Sequence, residues 1–385
     1  TALTFWGQAW LALLIQLGGL GILTLTTLVM TRLGRVSVSM EEAGSGNVPL
    51  RHVDERRLLT TVVAVTLVVE AGGALLLWLD WRGRFGAVGA LWPALFHAVS
   101  AFCNAGFSLF PDSLVGLRTS PVTLGVVGTL IVLGGMGFVV AEDVRARARG
   151  RTDRLSVQSR LVLVSTAILL LVGWVYYLFF EWSHELSGLA VWDKVTNALF
   201  MSVTARTAGF NTVDYGRISN PSYLFTILLM LVGGSPGSAA GGIKTTTFAT
   251  LILALRSRLK GETDVTVFER SLPGETISRA TSLTLGSLIF LGCMVFLLMV
   301  TESPVVGYRD RGHLVDVVFE AHSAFGTVGL STGVTASVAP ASRLVLSLLM
   351  FAGRVGPAAL VASMISAAAR RRVSYRLGRE DIMIG

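Results

Sequence analysis

Apolar residues fall along this chain in long uninterrupted runs separated by short polar or basic stretches, not on the single stripe of an amphipathic helix. The runs at about residues 5–30, 58–79, 122–140, 161–180, 280–300 and 344–369 are each close to the length that crosses a bilayer, about 20 residues. A longer run, 223–259, comes back through the membrane with an interruption. Three further apolar segments, at about 91–107, 192–210 and 314–330, are too short to span. With 52% hydrophobic and only 15% charged residues among 385, this is a polytopic membrane protein. No charged n-region precedes the first run, so it is not read as a cleavable signal peptide. The Arg-rich link up to Arg160 reads as a solvated loop.

The three short segments end alike. Cys103-Asn104-Ala105-Gly106-Phe107, Arg206-Thr207-Ala208-Gly209-Phe210 and Gly326-Thr327-Val328-Gly329-Leu330 each follow a lead-in containing Phe and a small hydroxyl residue, as in Phe96 to Ser100, Phe200 to Thr204 and Phe319 to Ser323. A segment that enters a membrane as a helix and returns as extended backbone leaves carbonyls unpaired, which hydrocarbon tolerates only where they line a water-filled path. Rings of such carbonyls replace the hydration shell of potassium. The candidate ion-binding residues are therefore Cys103, Asn104, Ala105 and Gly106, then Thr207, Ala208 and Gly209, then Thr327, Val328 and Gly329. For one copy alone, a Gly-ended loop between two ordinary helices would suffice; three copies in matching positions point to a filter.

The returning helices repeat as well. Gly18-Gly19, Gly134-Gly135, Gly233-Gly234 and Gly353-Arg354 sit in corresponding places, and the last three follow a filter glycine by 28, 24 and 24 residues. Small residues suit close helix packing, but the spacing adds a repeat of span, pore loop and span with a period of 99 to 120 residues. Counting back from Gly18 places a further filter glycine six to ten positions before Thr1, so a first outward span and pore loop are expected ahead of the sequence.

The third returning helix is broken by Gly233, Gly234, Ser235, Pro236, Gly237 and Ser238, then Gly241 and Gly242, with Lys244 next. Gly and Pro break helical hydrogen bonds, and the freed groups need partners or water. A loop crossing the pore beneath the filter meets that need and forms a candidate gate; a rigid kink packed on a neighbour is the alternative. Arg354, in place of the second glycine of the last motif, is an intramembrane charge and a functional candidate. It would either repel cations below the filter or hold the gate loop by hydrogen bonds. Arg206 is expected to point behind the filter and brace it, and Glu70 and Glu320 to pair with such cations. Gly237 to Thr245 nearly spells a nucleotide P-loop, but Ile243 intrudes before the lysine and the setting is a membrane helix. Ser235 among glycines hints at an intramembrane protease, but Pro236 stands where that pattern wants glycine.

The net charge of +8 has an explanation other than nucleic acid. With the spans placed as above, 21 of the 32 basic residues fall on one side and 8 on the other. Lys and Arg concentrate on the cytoplasmic side, which puts the C-terminus inside and the three filter-like loops on the outer half of a plasma-membrane protein. Cys103 and Cys293 lie in different apolar segments, so neither a disulfide nor a cysteine metal site is expected.

Together these motifs resemble the Trk/Ktr/HKT superfamily of potassium-translocating subunits, most closely the KtrB-type membrane subunits. The resemblance rests on Phe-Cys-Asn-Ala-Gly-Phe, Arg-Thr-Ala-Gly-Phe-Asn, Gly-Thr-Val-Gly-Leu-Ser, the Gly-Gly-Ser-Pro-Gly-Ser loop with Ile243-Lys244-Thr245-Thr246, and the ending Glu380 to Gly385. It covers essentially all residues. It implies an all-α protein of four pseudo-symmetric repeats around one pore, the first incomplete here: residues 1–57 completing repeat 1, then 58–159, 160–274 with the gate loop at 233–247, 275–369, and a cytoplasmic tail at 370–385. It also implies potassium as the transported ion, a homodimer in the lipid membrane, and a KtrA-like cytoplasmic ring that binds the nucleotide. One departure is Cys103, where a second asparagine is expected. A coupled secondary transporter and, less favoured, a polytopic membrane enzyme are the other readings.

Overall fold

The computed structural model describes residues 3–21, 55–306 and 311–355, so the segments at 22–54 and 356–385, including the basic tail and the C-terminal motif, lie outside it. The described chain is helical apart from one small hairpin. Helix α1 covers residues 5–21. Three units of long span, short pore helix and returning helix follow. The first is α2 (Glu55–Phe85), α3 (Ala87–Phe102) and α4 (Pro121–Met136), continued by α5 (Phe138–Ala148). The second is α6 (Val157–Glu181), α7 (Val191–Thr204) and α8 (Asn220–Leu231), continued by α9 (Thr245–Leu259). A two-stranded hairpin, β1 (Thr266–Val267) with β2 (Arg270–Ser271), leads to the third unit: α10 (Gly274–Val306), α11 (Arg311–Gly326) and α12 (Pro340–Val355).

Thr60–Phe85, Val157–Glu181 and Gly274–Glu302 are long and apolar enough to cross a membrane. They expose Leu67, Val68, Ile168, Val175, Phe179, Ile289 and Phe296, the outward apolar face that lipid requires.

The ends of the units where the pore loops join the returning helices share one device. Each returning helix starts at a proline or just before one, which suits the first turn because its missing N–H would be unpaired there. The residue at each N-cap is gripped by a carboxylate from the preceding long span. Asp80 accepts from Ser120 Oγ and Thr123 Oγ1, both at 2.7 Å. Glu181 accepts from Ser219 N at 2.9 Å and Ser219 Oγ at 2.6 Å. Glu302 accepts from Ala339 N at 2.9 Å. Acidic groups at helix N-termini also face the positive end of the dipole. The third unit lacks the capping hydroxyl, and His313 Nε2 comes to 3.5 Å of the second Glu302 oxygen.

Each unit buries its own core and receives the next pore segment. Trp81, Phe102 and Leu124 pack with Phe200 and Phe210, while Tyr177, Met201 and Met230 pack with Phe319 and Leu330. The three pore helices are thereby stepped around a common centre.

Two expectations need correction. The run at 122–140 is not one helix: α4 stops at Met136, Gly137 adopts φ +82°, and α5 leaves at 98°. The bend seats Gly137 against Pro236 and Gly237 of the broken third helix, where a Cβ would come to 2.7 Å of the Pro236 carbonyl oxygen. The Arg-rich link is also not all loop, since α5 carries Arg145 and Arg147 in its last turn. Asp143 then ties α5 to the start of α6, accepting from Ser156 N and Oγ at 2.8 Å each. Burial alone would raise the Asp143 carboxyl, but hydrogen bonds from Ser159 and Ser156 hold it below its ordinary value.

Candidate functional site

The pore helices α3, α7 and α11 all aim their C-terminal ends at one place. Beyond each, the backbone repeats a pattern of two left-handed residues separated by one: Asn104 (φ 50°) and Gly106 (72°), Thr207 (70°) and Gly209 (81°), Thr327 (52°) and Gly329 (91°). A β-branched residue at positive φ is a genuine outlier, and strain of this kind gathers at functional sites. Alternation of handedness turns successive carbonyls toward the same side, where a regular helix or strand would not.

The three loops meet at their glycines. A Cβ on Gly209 would stand 3.2 Å from Gly106 Cα and 3.3 Å from Gly329 Cα, and would collide with the Val328 carbonyl oxygen. A Cβ on Gly106 would come to 2.6 Å of the Ala208 carbonyl oxygen. Glycine is required here for both conformation and room.

Each loop is braced from behind by the hydroxyl of its own lead-in. Ser100 Oγ donates to Phe107 O at 2.8 Å, Thr204 Oγ1 donates to Phe210 O at 2.6 Å, and Ser323 Oγ accepts from Gly329 N at 3.1 Å. The repeated small hydroxyl in the lead-ins was the sequence signal for this brace, although its partner could not be read. Asn104 links two copies. With its amide oriented by the surrounding network, Nδ2 donates to Ile131 O (3.2 Å) and Ala101 O (3.0 Å), leaving Oδ1 toward the Thr207 hydroxyl, 3.4 Å away. The Cys103 thiol points away from this centre, toward Glu70 Oε1 at 3.8 Å.

Directly below lies the loop between α8 and α9. Residues 232–243 are all buried, and a buried loop must satisfy its backbone. Ser235 N donates to Gly135 O (2.9 Å), Phe138 N to Gly237 O (3.2 Å), Gly242 N to Gly353 O (3.3 Å), and Gly233 N to Ile243 O (2.9 Å). Ser238 Oγ and Lys244 Nζ close on the loop's own carbonyls at Ser235 and Ala240, both at 2.6 Å. The loop therefore crosses from the α4–α5 bend to α12. Gly241 lies against the Thr327 side chain and Gly233 against Thr207 Cγ2.

Arg206 Nη2 donates to Gly233 O at 3.2 Å, so its side chain braces the loop below; among the described residues it makes no hydrogen bond to the filter backbone. Arg354 lines a cavity of about 510 Å³ between the first and third copies, together with Gly18, Asn104, Thr327 and Gly329. Among the described residues it makes no hydrogen bond to the loop, which is held instead by the carbonyl of neighbouring Gly353. Among the described residues Glu320 pairs with no cation; it accepts from Ser331 Oγ (2.5 Å), Thr335 Oγ1 (2.6 Å) and Thr332 N (3.2 Å). Ser235 Oγ meets Thr245 Oγ1 at 3.2 Å, while His97 bonds Pro93 and Ser108 and His322 bonds Val318. Ser235 thus has no histidine to activate it among these contacts.

The sequence profile of the TrkH family, described as a cation transport protein, matches residues 1–370. The chain belongs to the TrkH cation transport family. It is 33% identical to the potassium/sodium uptake protein NtpJ of Enterococcus hirae over 98% of this chain and 83% of that protein. It is 34% identical to the Ktr system potassium uptake protein B of Vibrio alginolyticus, over 93% of this chain and 78% of the other. The same-named protein of Bacillus subtilis is 33% identical over 94% and 80%. The crystal structure of the potassium transporter TrkH from Vibrio parahaemolyticus superposes with a TM-score of 0.70 at 18% identity, covering 95% of this chain and 74% of that one, which shows a shared fold. The chain is a multi-pass membrane transport protein and not an enzyme, so the protease and nucleotide-loop readings of residues 235–245 are set aside.

Proposed function

We propose that the chain conducts potassium through the carbonyls of residues 103–106, 207–209 and 327–329, with residues 233–247 as the gate. The observation that carries this reading is the same left-handed alternation in three loops whose glycines touch. It supports a coordinating ring over isolated turns, because turns that share no ligand have no reason to share both strain and contact. The loops contact one another in series, first to second to third, and the 510 Å³ cavity between third and first supports a fourth pore loop on that side. The units at 58–159, 160–274 and 275–369, with 1–57 as the remainder of another, are repeats around that axis, and 370–385 is the cytoplasmic tail.

The gate reading draws on the loop's position. A buried, glycine-rich strap lying against Thr207 and Thr327 obstructs the way below the filter, and its anchors are hydrogen bonds that a modest rearrangement can exchange. Arg354 on the cavity wall adds an electrostatic barrier there. The basic side faces the cytoplasm, and two relatives bear the name of the Ktr system, which supports a cytoplasmic nucleotide-binding ring as regulator and a homodimeric membrane assembly. Purified protein in vesicles should pass rubidium and potassium down their gradients in preference to sodium. Strict coupling of potassium entry to a second ion would favour a secondary transporter with a midplane site.

A further inference from the structure

We propose that a small, partly enclosed cavity between the second filter copy and the gate loop binds one hydrogen-bond acceptor of water size, held by Arg206. The inference rests on the reading of residues 233–247 as the gate. The cavity holds about 20 Å³ and is lined by Gly135, Thr166, Leu170, Val203, Arg206 and Gly234, among others. Its wall thus carries one guanidinium, one hydroxyl and two glycines, which present only backbone.

Arg206 is 8% exposed. Its Nη2 is committed to Gly233 O, but its Nε–H is buried without a partner. An unpaired N–H on a charged group costs more to bury than a neutral one, and among the described residues no carboxylate forms an ion pair with this guanidinium. A cavity of roughly 10–15 Å³ suffices for one water with two to four polar neighbours. The Nε–H donates to the occupant, and an occupant that is water gives its own protons to Thr166 Oγ1 or to the carbonyls of Gly135 and Gly234. Those carbonyls accept from Ser235 N and Thr245 N and keep a second lone pair. A halide ion offers the same acceptor chemistry and would also balance the charge.

The position gives the site its consequence. Arg206 directly precedes Thr207 of the filter, and Gly234 belongs to the loop beneath, so the occupant completes a link from filter backbone to gate. A hydrogen bond to a charged group is strong enough to change a closed-to-open ratio roughly tenfold.

The test is a high-resolution density map of the full-length protein in lipid, recorded in chloride, together with diffraction from crystals grown in bromide. One peak within hydrogen-bond distance of Arg206 Nε is expected; an anomalous signal in bromide assigns it to a halide, and its absence to water. Val203→Ile adds a methyl group to the wall and should expel the peak and raise rubidium flux several-fold, with unchanged thermal unfolding. Thr166→Val should weaken the peak without changing the shape of the wall. An empty cavity in the wild-type map overturns the site. A filled cavity in a protein whose flux ignores deletion of the gate loop counts instead against the gate.

Discussion

Gly209 sits between both neighbouring copies, so Gly209→Ala is the most demanding single-residue perturbation of the filter. Its φ of +81° costs an alanine about 1–2 kcal/mol, which alone reduces the population of intact filter by roughly 5–30-fold. The added methyl group then meets three backbone neighbours: it collides with Val328 O and stands 3.2 and 3.3 Å from the Cα atoms of Gly106 and Gly329. Backbone cannot rotate away as a side chain can, so relief requires moving a coordinating carbonyl. In cells or vesicles dependent on this protein, potassium uptake should fall at least tenfold and its preference over sodium should shrink, with assembly intact. Gly125→Ala on α4 is the control: nothing lies within 4 Å of its Cβ position, and alanine improves helix propensity by about 1 kcal/mol. Unchanged uptake and ion preference in Gly209→Ala would refute the convergence of the three loops on one ion path.

Deleting several residues within 233–242 should raise flux several-fold and weaken its dependence on a regulatory partner; flux at or below wild type in an assembled protein would identify a rigid kink. Arg354→Ala should raise maximal uptake with little change in ion preference. A unit charge about 4 Å from a passing cation costs it about 1 to 4 kcal/mol between water-like and intermediate dielectrics, and Lys at 354 should preserve the barrier. Ala339→Ser supplies the capping hydroxyl that Ser120 and Ser219 provide elsewhere, stabilising α12 by about 1 kcal/mol and raising the unfolding midpoint by about 2 °C. Because the folded Asp143 carboxyl lies below its ordinary value of 3.8, its contribution to the α5–α6 joint is complete above that value and is lost as pH falls through the folded one. Protection against hydrogen exchange, relative to intrinsic rates, around residues 149–156 should therefore be high at neutral pH and fall below about pH 3.8, whereas Asp143→Ala should lack it throughout.

The repeat was legible because each filter carries its own glycine, lead-in phenylalanine and hydroxyl, and three imperfect copies reinforce one another. The bend at Gly137 was not. Its motif, Gly134-Gly135-Met136-Gly137, reads equally as small-residue packing, and the left-handed turn is decided by contact with Pro236 and Gly237, a hundred residues away. Helix α5 was concealed by its arginines, which suggested a solvated link although Ala, Arg and Glu favour helices. Asp80, Glu181 and Glu302 drew no notice because each alone looks like a charge at a membrane surface; their shared grip on the next N-cap exists only once residues 37 to 40 positions apart are side by side. Glu320 was expected to pair with an intramembrane arginine, Arg354 or Arg206, whereas among the described residues three local donors at Ser331, Thr332 and Thr335 satisfy it.

Anomalous scattering from thallium or rubidium ions exchanged for potassium locates the transported ion directly. Density is expected on the axis among the carbonyls of residues 103–106, 207–209 and 327–329, above the loop at 233–247. Sites confined to the broken helix around Ser235, with none among the three glycine loops, would contradict the assignment of those loops as the filter.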